Sequence, residues 1–268
     1  MKSIIESVFG DEKIEYFAVL DYLKLRSYNR ELTDRAGLIP RTAIVFLIPY
    51  YVETPTNLSA YASSLDYHIY VKDLTARISQ SLKDEYPEYS FHGFGDHSPI
   101  DERYAALVGG LGVAGDSGML INKKYGTYTF IADIITDMPP GLLGAREPQE
   151  IMTCSHCGAC KRACPTGILR GEGCDCLSAI TQRKGDLTEE EVELMRKFDT
   201  VWGCDVCQKV CPYNKSCEVT PIEFFHSNRI TTLTSDYLSS LDRNQLRAHA
   251  FGWRGRGVIA RNLEKLGY

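Results

Sequence analysis

Nine cysteines between positions 154 and 211 constrain this chain more than any other feature. The first run reads Cys154-Ser-His-Cys157-Gly-Ala-Cys160-Lys-Arg-Ala-Cys164-Pro165, and the second reads Cys204-Asp-Val-Cys207-Gln-Lys-Val-Cys211-Pro212. C-x2-C-x2-C-x3-C-P is the spacing with which thiolates hold a cubane [4Fe–4S] cluster, the fourth cysteine serving the other cluster of a pair. The reason is geometric. Three thiolates on a tight loop reach three irons of one cube, while the fourth, beyond a turn and stopped by proline, points toward a neighbouring cube.

The second run has Val201 where its first thiol would stand. A cubane needs four ligands, and between the runs only Cys174 and Cys176 can supply the missing one. The count closes on two clusters: Cys154, Cys157, Cys160 and Cys211 for one; Cys164, Cys204, Cys207 and either Cys174 or Cys176 for the other. Other thiol chemistries fit less well. Disulfides need an oxidising compartment. Paired C-x2-C knuckles can hold structural zinc, but zinc does not explain two x3-C-P endings. A thioredoxin-type pair would occur once, beside a βαβ unit.

The remaining composition sets the setting. At 268 residues the chain can form one large or two moderate domains. No run of roughly 18 apolar residues is present, so no transmembrane helix is expected. The start, Met1-Lys-Ser-Ile-Ile-Glu, carries acid too early for a signal peptide. Ten cysteines without an export signal point to reduced thiols and a cytoplasmic location. The net charge of −5 offers no general attraction to nucleic acid. The best local basic patch is Arg247, Arg254, Arg256 and Arg261, which reads equally as a solvated helix face.

The expected fold is α/β (α+β) for residues 1–145, a ferredoxin-like two-cluster domain for 146–220, and a short helical segment for 221–268. Residues 11–25 place apolar groups near a helical repeat. Thr42 to Ile48 is a β-branched apolar run ended by Pro49, a strand buried on both faces. Residues 59–86 read as mainly helical, and Phe91–Phe94 as a second strand. Pro99 to Val108 reads as a helix with acids in its first turn. Met119–Asn122 and Tyr125–Ile135 are expected to pair as a hairpin across Lys123 and Lys124. Thr188 and Glu191 form a candidate capping box for a helix running to Phe198. Short amphipathic helices follow from Leu233.

Gly110-Leu-Gly112-Val-Ala-Gly115 matches G-x-G-x-x-G, but a dinucleotide site needs a strand before the glycines and a helix after them. Here a helix precedes and a strand follows, so the match reads instead as a side-chain-free loop, extending to Gly118, that something large could approach.

Several stretches then resemble the epoxyqueuosine reductase family. Tyr61-Ala62 with Asp66-Tyr67-His68 is similar to its Y-A-x3-D-Y-H stretch. Asp96-His-Ser-Pro99, Glu102-Arg103 and Gly110-Leu-Gly112 resemble its D-T-G-P…E-R…G-L-G block. Tyr125-Gly126, Phe130-Ile131 and Thr136-Asp137 resemble its strand pair. Gly203-Cys204 to Pro212-Tyr-Asn214 is close to its second cluster signature, and Phe251-Gly-Trp-Arg254 with Arg261-Asn262 to its first C-terminal helix pair. The likeness spans nearly the whole chain.

That resemblance implies base-off cobalamin over the N-terminal domain, beside a cluster, with cofactor contacts at Tyr61, His68, Asp96, His97, Gly110, Gly112, Gly115 and Gly118. It selects Cys176, in Cys176-Leu-Ser-Ala-Ile-Thr, over Cys174 as the distant ligand, leaving Cys174 and Cys217 as free thiols. Asp96 falls on the catalytic acid position, and burial against the corrin is expected to keep its carboxyl protonated. A low-potential donor of flavodoxin or ferredoxin type is implied, with tRNA as the candidate substrate partner and no membrane.

The chain departs from the family at Val113 and Asp116, where an aromatic residue and a lysine are usual. It also stops at Tyr268, and so reads as a short form without the C-terminal helical repeat domain that grips tRNA. Two alternatives to epoxyqueuosine reduction therefore stay open. One is a related corrinoid-dependent reductase of a small electrophile. The other is a ferredoxin-type electron carrier or corrinoid activase.

Overall fold

The computed structural model of the chain describes residues 4–53, 56–173 and 175–268. It divides into two compact units. The first comprises 1–49, 68–115 and 119–154; the second comprises 50–67, 116–118 and 155–268. Residues 50–67 thus group with the cluster region and not with the rest of the first 145 residues.

The first unit is built on β2 (Thr42–Pro49), whose eight residues are all buried. The elements around it are α1 (Ile4–Asp11), β1 (Phe17–Asp21), α2 (Glu31–Arg35), α3 (Tyr67–Glu85), β3 (Phe91–Gly95), α4 (Glu102–Val108), the short β4 (Val113–Ala114) and β5 (Leu120–Ile121), and β6 (Thr129–Thr136). The main sheet has the order β1-β2-β6-β3, and every pair in it is antiparallel. A strand that is central in the sheet and covered on both faces has no polar side, which is why Thr42 to Ile48 shows no alternation.

Alternate residues of β2 serve two cores. Ala43, Val45 and Leu47 join Ala18, Leu20 and Ile135 under the buried Ala105 to Val108 of α4. On the other face Phe46 meets Phe9 edge-on, with ring centroids 5.1 Å apart. Gly93 of β3 explains how closely α3 comes to the sheet: a Cβ there would lie 2.2 Å from the Cβ of Thr75.

Two expectations for this unit are corrected. Residues 17–21 form β1, not a continuation of helix, because Ala18, Val19 and Leu20 are all buried and paired with β2; the short helix lies before them, at α1. The 119–122 and 125–135 segments do not form a hairpin with each other. β5 turns back to pair with β4, and β6 enters the main sheet between β2 and β3. The tight link between them closes only at the Asn122–Gly126 bridge. Helix α4 starts at Asp101, whose Oδ1 accepts from Tyr104 N at 2.9 Å.

The second unit is mainly helical: α5 (Ala159–Ala163), α6 (Leu177–Gln182), α7 (Glu189–Lys197), α8 (Val206–Lys209), α9 (Ser235–Ser240), α10 (Arg243–Arg247) and α11 (Arg256–Leu266). The capping box of α7 is formed, with both the Thr188 and Glu191 side chains bonding back to the other's backbone. One core gathers Leu58, Val201, Trp202, Leu233, Phe251 and Ile259; a smaller one gathers Leu177, Ile180, Val192 and Met195. Asn262, fully buried on α11, donates to Thr181 O at 2.7 Å and to Val201 O at 2.8 Å. The last helix is therefore integral to the unit that carries the cysteines.

The candidate basic patch is largely spent on structure. Arg256 bonds the carbonyls at the end of α9, Leu238 O and Leu241 O, and Arg261 bonds Arg183 O and Gly185 O. Arg254 stacks over the Trp253 ring, 3.7 Å from its centroid. Among the described residues no helix is long and apolar enough to cross a membrane.

Candidate functional site

In the second unit, the cysteine runs fold as short helices punctuated by turns. His156 and Gly158 both adopt positive φ, 52° and 72°, on either side of Cys157, and α5 begins directly after Gly158. Cys164 follows α5 at once, Cys176 precedes α6, and Cys207 lies on α8 between Cys204 and Cys211. Asp116, from a separate stretch of the same unit, anchors this loop through His156 Nδ1 at 2.8 Å and Lys161 Nζ at 3.4 Å.

Electrostatics shows which thiols share a space. Burial pushes the Cys204 thiol up to about 11, reinforced by Cys176 and Cys164. Burial, then Cys204 and Cys176, push Cys207 up to about 12. Cys164 is also opposed by burial, yet it is held below the ordinary thiol range by bonds from the Leu169, Thr166 and Gly167 backbone and the Thr166 hydroxyl. Cys160 acts on Cys207 as well, so the thiols of both runs lie close enough to be felt by one another, as cluster ligands must. The described cysteines carry no disulfide. Cys174 lies outside the described residues, and Cys217 has no thiol among the groups acting on it. Cys154 belongs to the first unit, where its N–H donates to Ala114 O at 2.9 Å.

Asp205, between two cysteines of the second run, was not singled out in the sequence. It is buried and accepts from Ser59 Oγ, from Ala60 N at 2.6 Å and from Gln208 Nε2 at 3.0 Å. Burial raises its pKa, against the pull of those donors. Tyr61 stands in the same neighbourhood, its hydroxyl accepting from Trp202 Nε1 at 3.1 Å.

In the first unit the Asp96 block forms a compact acid centre. Asp96 directly follows β3 and takes a φ of 61°, a left-handed conformation uncommon outside glycine and asparagine-like residues. Its Oδ2 lies 3.1 Å from His68 Nε2, with the two side chains 51% and 54% exposed. His97 meets Asn29 Nδ2 at 3.3 Å, away from that pair's hydrogen bond. Beneath lie Glu102 and Asp133. Burial, then Asp133 and Asp96, push Glu102 up to about 8, with the Asp96 backbone opposing the rise. Asp133 is fully buried and pushed up to about 7, with Ser98 moderating the effect. Both were missed as site residues, though an acid inside the apolar run Ile131-Ala-Asp-Ile-Ile was a legible signal.

The glycine loop is occupied by its own chain. A Cβ on Gly112 would stand 2.6 Å from Ile121 O, and one on Gly115 would stand 3.0 Å from Met119 O. Those glycines allow β4 and β5 to close on one another. Gly110 and Gly118 take positive φ at the loop's two ends. His68 and Asp96 are the candidate cofactor residues that this unit joins directly, and their half-exposed side chains leave an open polar face on which a large cofactor could rest.

An antiparallel α/β unit bearing an aspartate–histidine pair, with a second unit bearing two cluster-spaced cysteine runs, defines an iron–sulfur oxidoreductase. Residues 153–214 match the 4Fe-4S double cluster binding domain family. Epoxyqueuosine reductase of Leadbetterella byssophila is 32% identical over 225 residues, covering 81% of this chain and 70% of that protein. That of Pseudomonas aeruginosa is 32% identical over 275 residues, covering 94% and 71%. In two further relatives the match spans only 48% and 51% of their length. The chain belongs to the epoxyqueuosine reductase family. Solved structures with the same fold include an epoxyqueuosine reductase with an epoxyqueuosine-modified tRNA-Tyr stem loop (TM-score 0.72, 20% identity, 97% of this chain and 80% of that chain). A reductive dehalogenase structure bearing on B12-dependent dehalogenation aligns with a TM-score of 0.50 and 16% identity, over 98% of this chain and 37% of that one.

Proposed function

We propose that this chain reduces epoxyqueuosine to queuosine in tRNA, using two [4Fe–4S] clusters and cobalamin. The observation that carries the reading is the Asp96–His68 pair at 3.1 Å on the open face of the first unit, in a chain whose second unit holds every candidate cluster thiol but Cys154. Cobalamin, when bound, would supply a reducing cobalt centre able to react with an electrophilic carbon. Opening an epoxide leaves an alkoxide, and in this reading Asp96 delivers the proton to that oxygen. His68 orients the carboxyl. Cys154, Cys157, Cys160 and Cys211 would hold one cluster, and Cys164, Cys176, Cys204 and Cys207 the other. A flavodoxin- or ferredoxin-type protein would supply the electrons one at a time. In this reading residues 1–145 carry cofactor and substrate, 146–220 carry the clusters, and 221–268 brace them.

The test is anaerobic reconstitution with iron, sulfide and cobalamin, followed by incubation with epoxyqueuosine-containing tRNA and a low-potential reductant. Queuosine should appear in the digested nucleosides. Cobalamin binding without any queuosine would overturn the substrate assignment. Val113 and Asp116, where the family has an aromatic residue and a lysine, favour one second reading: a corrinoid-dependent reductase of a small electrophile. Turnover of such a compound, with the modified tRNA untouched, would establish it. An electron carrier would instead fill both clusters and bind no cobalamin.

A further inference from the structure

The first unit displays a set of cations beside Asp96 that the chemistry above does not use. Residues 22–30 carry three cations and no acid, in a chain whose net charge is −5. Lys24 is spent on Glu147, at 2.6 Å. Arg26 and Arg30 are exposed, and neither has a carboxylate within ion-pair distance among the described residues. The acids next to them are engaged elsewhere: Glu31 pairs with Arg35 at 3.0 Å, and Asp101 caps α4. Between the two arginines stands Tyr28, 73% exposed.

The segment that carries them is pinned. It runs antiparallel to the stretch that follows Asp96. Pro99 O accepts from Tyr28 N at 2.8 Å and from Asn29 N at 3.2 Å, Ser27 bridges Ile100, and Asp101 N donates to Arg26 O at 2.9 Å. Asn29 Nδ2 meets His97 Nε2 at 3.3 Å, and His97 directly follows Asp96. Arg26 lies over the Tyr104 ring, 4.0 Å from its centroid. Stacking takes the face of a guanidinium and leaves its edge N–H groups to reach an anion. Next to it is a cavity of about 260 Å³, walled by Arg26, Arg103, Tyr104, Leu107 and Met119 among others.

We propose that residues 26–30 seat an unpaired stretch of RNA next to Asp96: Tyr28 stacks on a base, Arg26 and Arg30 take the phosphates on either side, and the cavity beside Arg26 admits a neighbouring base. This rests on the tRNA reading of the function. Cations that track the backbone, interleaved with aromatic rings for the bases, are how proteins hold single strands. A platform whose backbone is already fixed loses little freedom when the strand arrives. The immediate neighbours of Tyr28 are Ser27 and Asn29, so the ring lacks the apolar surround that a protein partner's interface would bring. Charges more than about 8 Å apart at the surface are largely screened at physiological ionic strength, so this strip can act in a chain that is acidic overall. Stacking and phosphate contacts supply affinity and register, not base identity.

The probe is a fluorescently labelled, unmodified RNA stem-loop, titrated with the cluster- and cobalamin-loaded protein and followed by anisotropy over a range of salt concentrations. Tyr28→Ala should weaken binding roughly 5- to 150-fold, the loss of one stacked base, while Tyr28→Phe should retain it. Arg26→Gln and Arg30→Gln should each reduce the slope of log K against log salt by about 0.7. Lys24→Gln removes a cation that is already paired and should change neither quantity. Iron content and melting should match the unmodified protein in every variant, since all four side chains are exposed. Unchanged affinity and slope in Tyr28→Ala, Arg26→Gln and Arg30→Gln would overturn the proposal, as would an unmodified protein that binds no RNA. The queuosine assay separates this outcome from the reading beneath it. Queuosine formed at limiting tRNA at a rate that Tyr28→Ala does not move would keep the substrate and remove the strip. RNA binding that depends on the strip, without any queuosine from the modified tRNA, would keep the strip and remove the substrate assignment.

Discussion

His68 Nε2 lies 3.1 Å from Asp96 Oδ2, joining a residue of the first turn of α3 to one just past β3. Nothing local in the sequence pairs them; the antiparallel sheet and the helix lying across it do. If Asp96 delivers the proton, Asp96→Asn should lower the single-turnover rate by about 10²- to 10⁴-fold. Iron content and cobalamin binding should be unchanged, as measured by iron assay and visible absorption. Loss of the clusters in this variant would assign Asp96 a folding role instead.

The second cluster should depend on Cys176. Cys176→Ala is expected to lose about half of the iron, since a cubane missing one of four thiolates is poorly held. Cys217→Ala should lose none. Iron analysis and EPR of the reduced proteins would separate the two, and equal iron in Cys176→Ala and unmodified protein would reopen the choice of ligand.

Stability should fall as the pH rises. Glu102 and Asp133 have folded-state pKa values above their ordinary ones of 4.5 and 3.8, at about 8 and about 7. Their contribution is therefore complete below those ordinary values and is lost as the pH climbs through the folded ones. Every tenfold gain in a carboxylate's proton affinity on folding corresponds to about 1.4 kcal/mol. Glu102→Gln should flatten the dependence of melting temperature on pH between about 5 and 8. A curve parallel to that of the unmodified protein would show that Glu102 does not titrate in this window.

Asn262 should matter more than a polar residue on a late helix ordinarily does. Asn262→Leu leaves Thr181 O and Val201 O without their donor in a buried site. Each unsatisfied group costs about 1–3 kcal/mol, so a loss of several degrees in melting temperature is expected. Unchanged melting would mean that water replaces the amide.

Legibility in the sequence followed the range of the interactions. The double-cluster domain was readable because C-x2-C-x2-C-x3-C-P spacing is a local signal, whereas the choice of Cys176 over Cys174 came from resemblance and not from spacing. β2 and the α7 capping box were readable because burial on both faces and a Thr–x–x–Glu pattern are local signals. The 17–21 strand was missed because apolar residues in a short run look alike in helix and strand, and only pairing with β2 decides between them. The expected hairpin failed for the same reason: β6 gains more by entering between β2 and β3 than by folding onto β5. Glu102 and Asp133 escaped notice because packing between α4 and β6, not a local pattern, buries them. The glycine motif was visible, but the object that approaches Gly112 is Ile121 of the same chain.

The Asn262 clasp joins the end of the chain to its middle. All eight candidate ligand cysteines leave the ribosome before Asn262 does. Asn262 adds to a link that does not depend on α11: Gly203 N, next to Cys204, donates to Thr181 Oγ1 at 2.9 Å. A helix that contributes no ligand thus braces the two segments that carry Cys176 and Cys204.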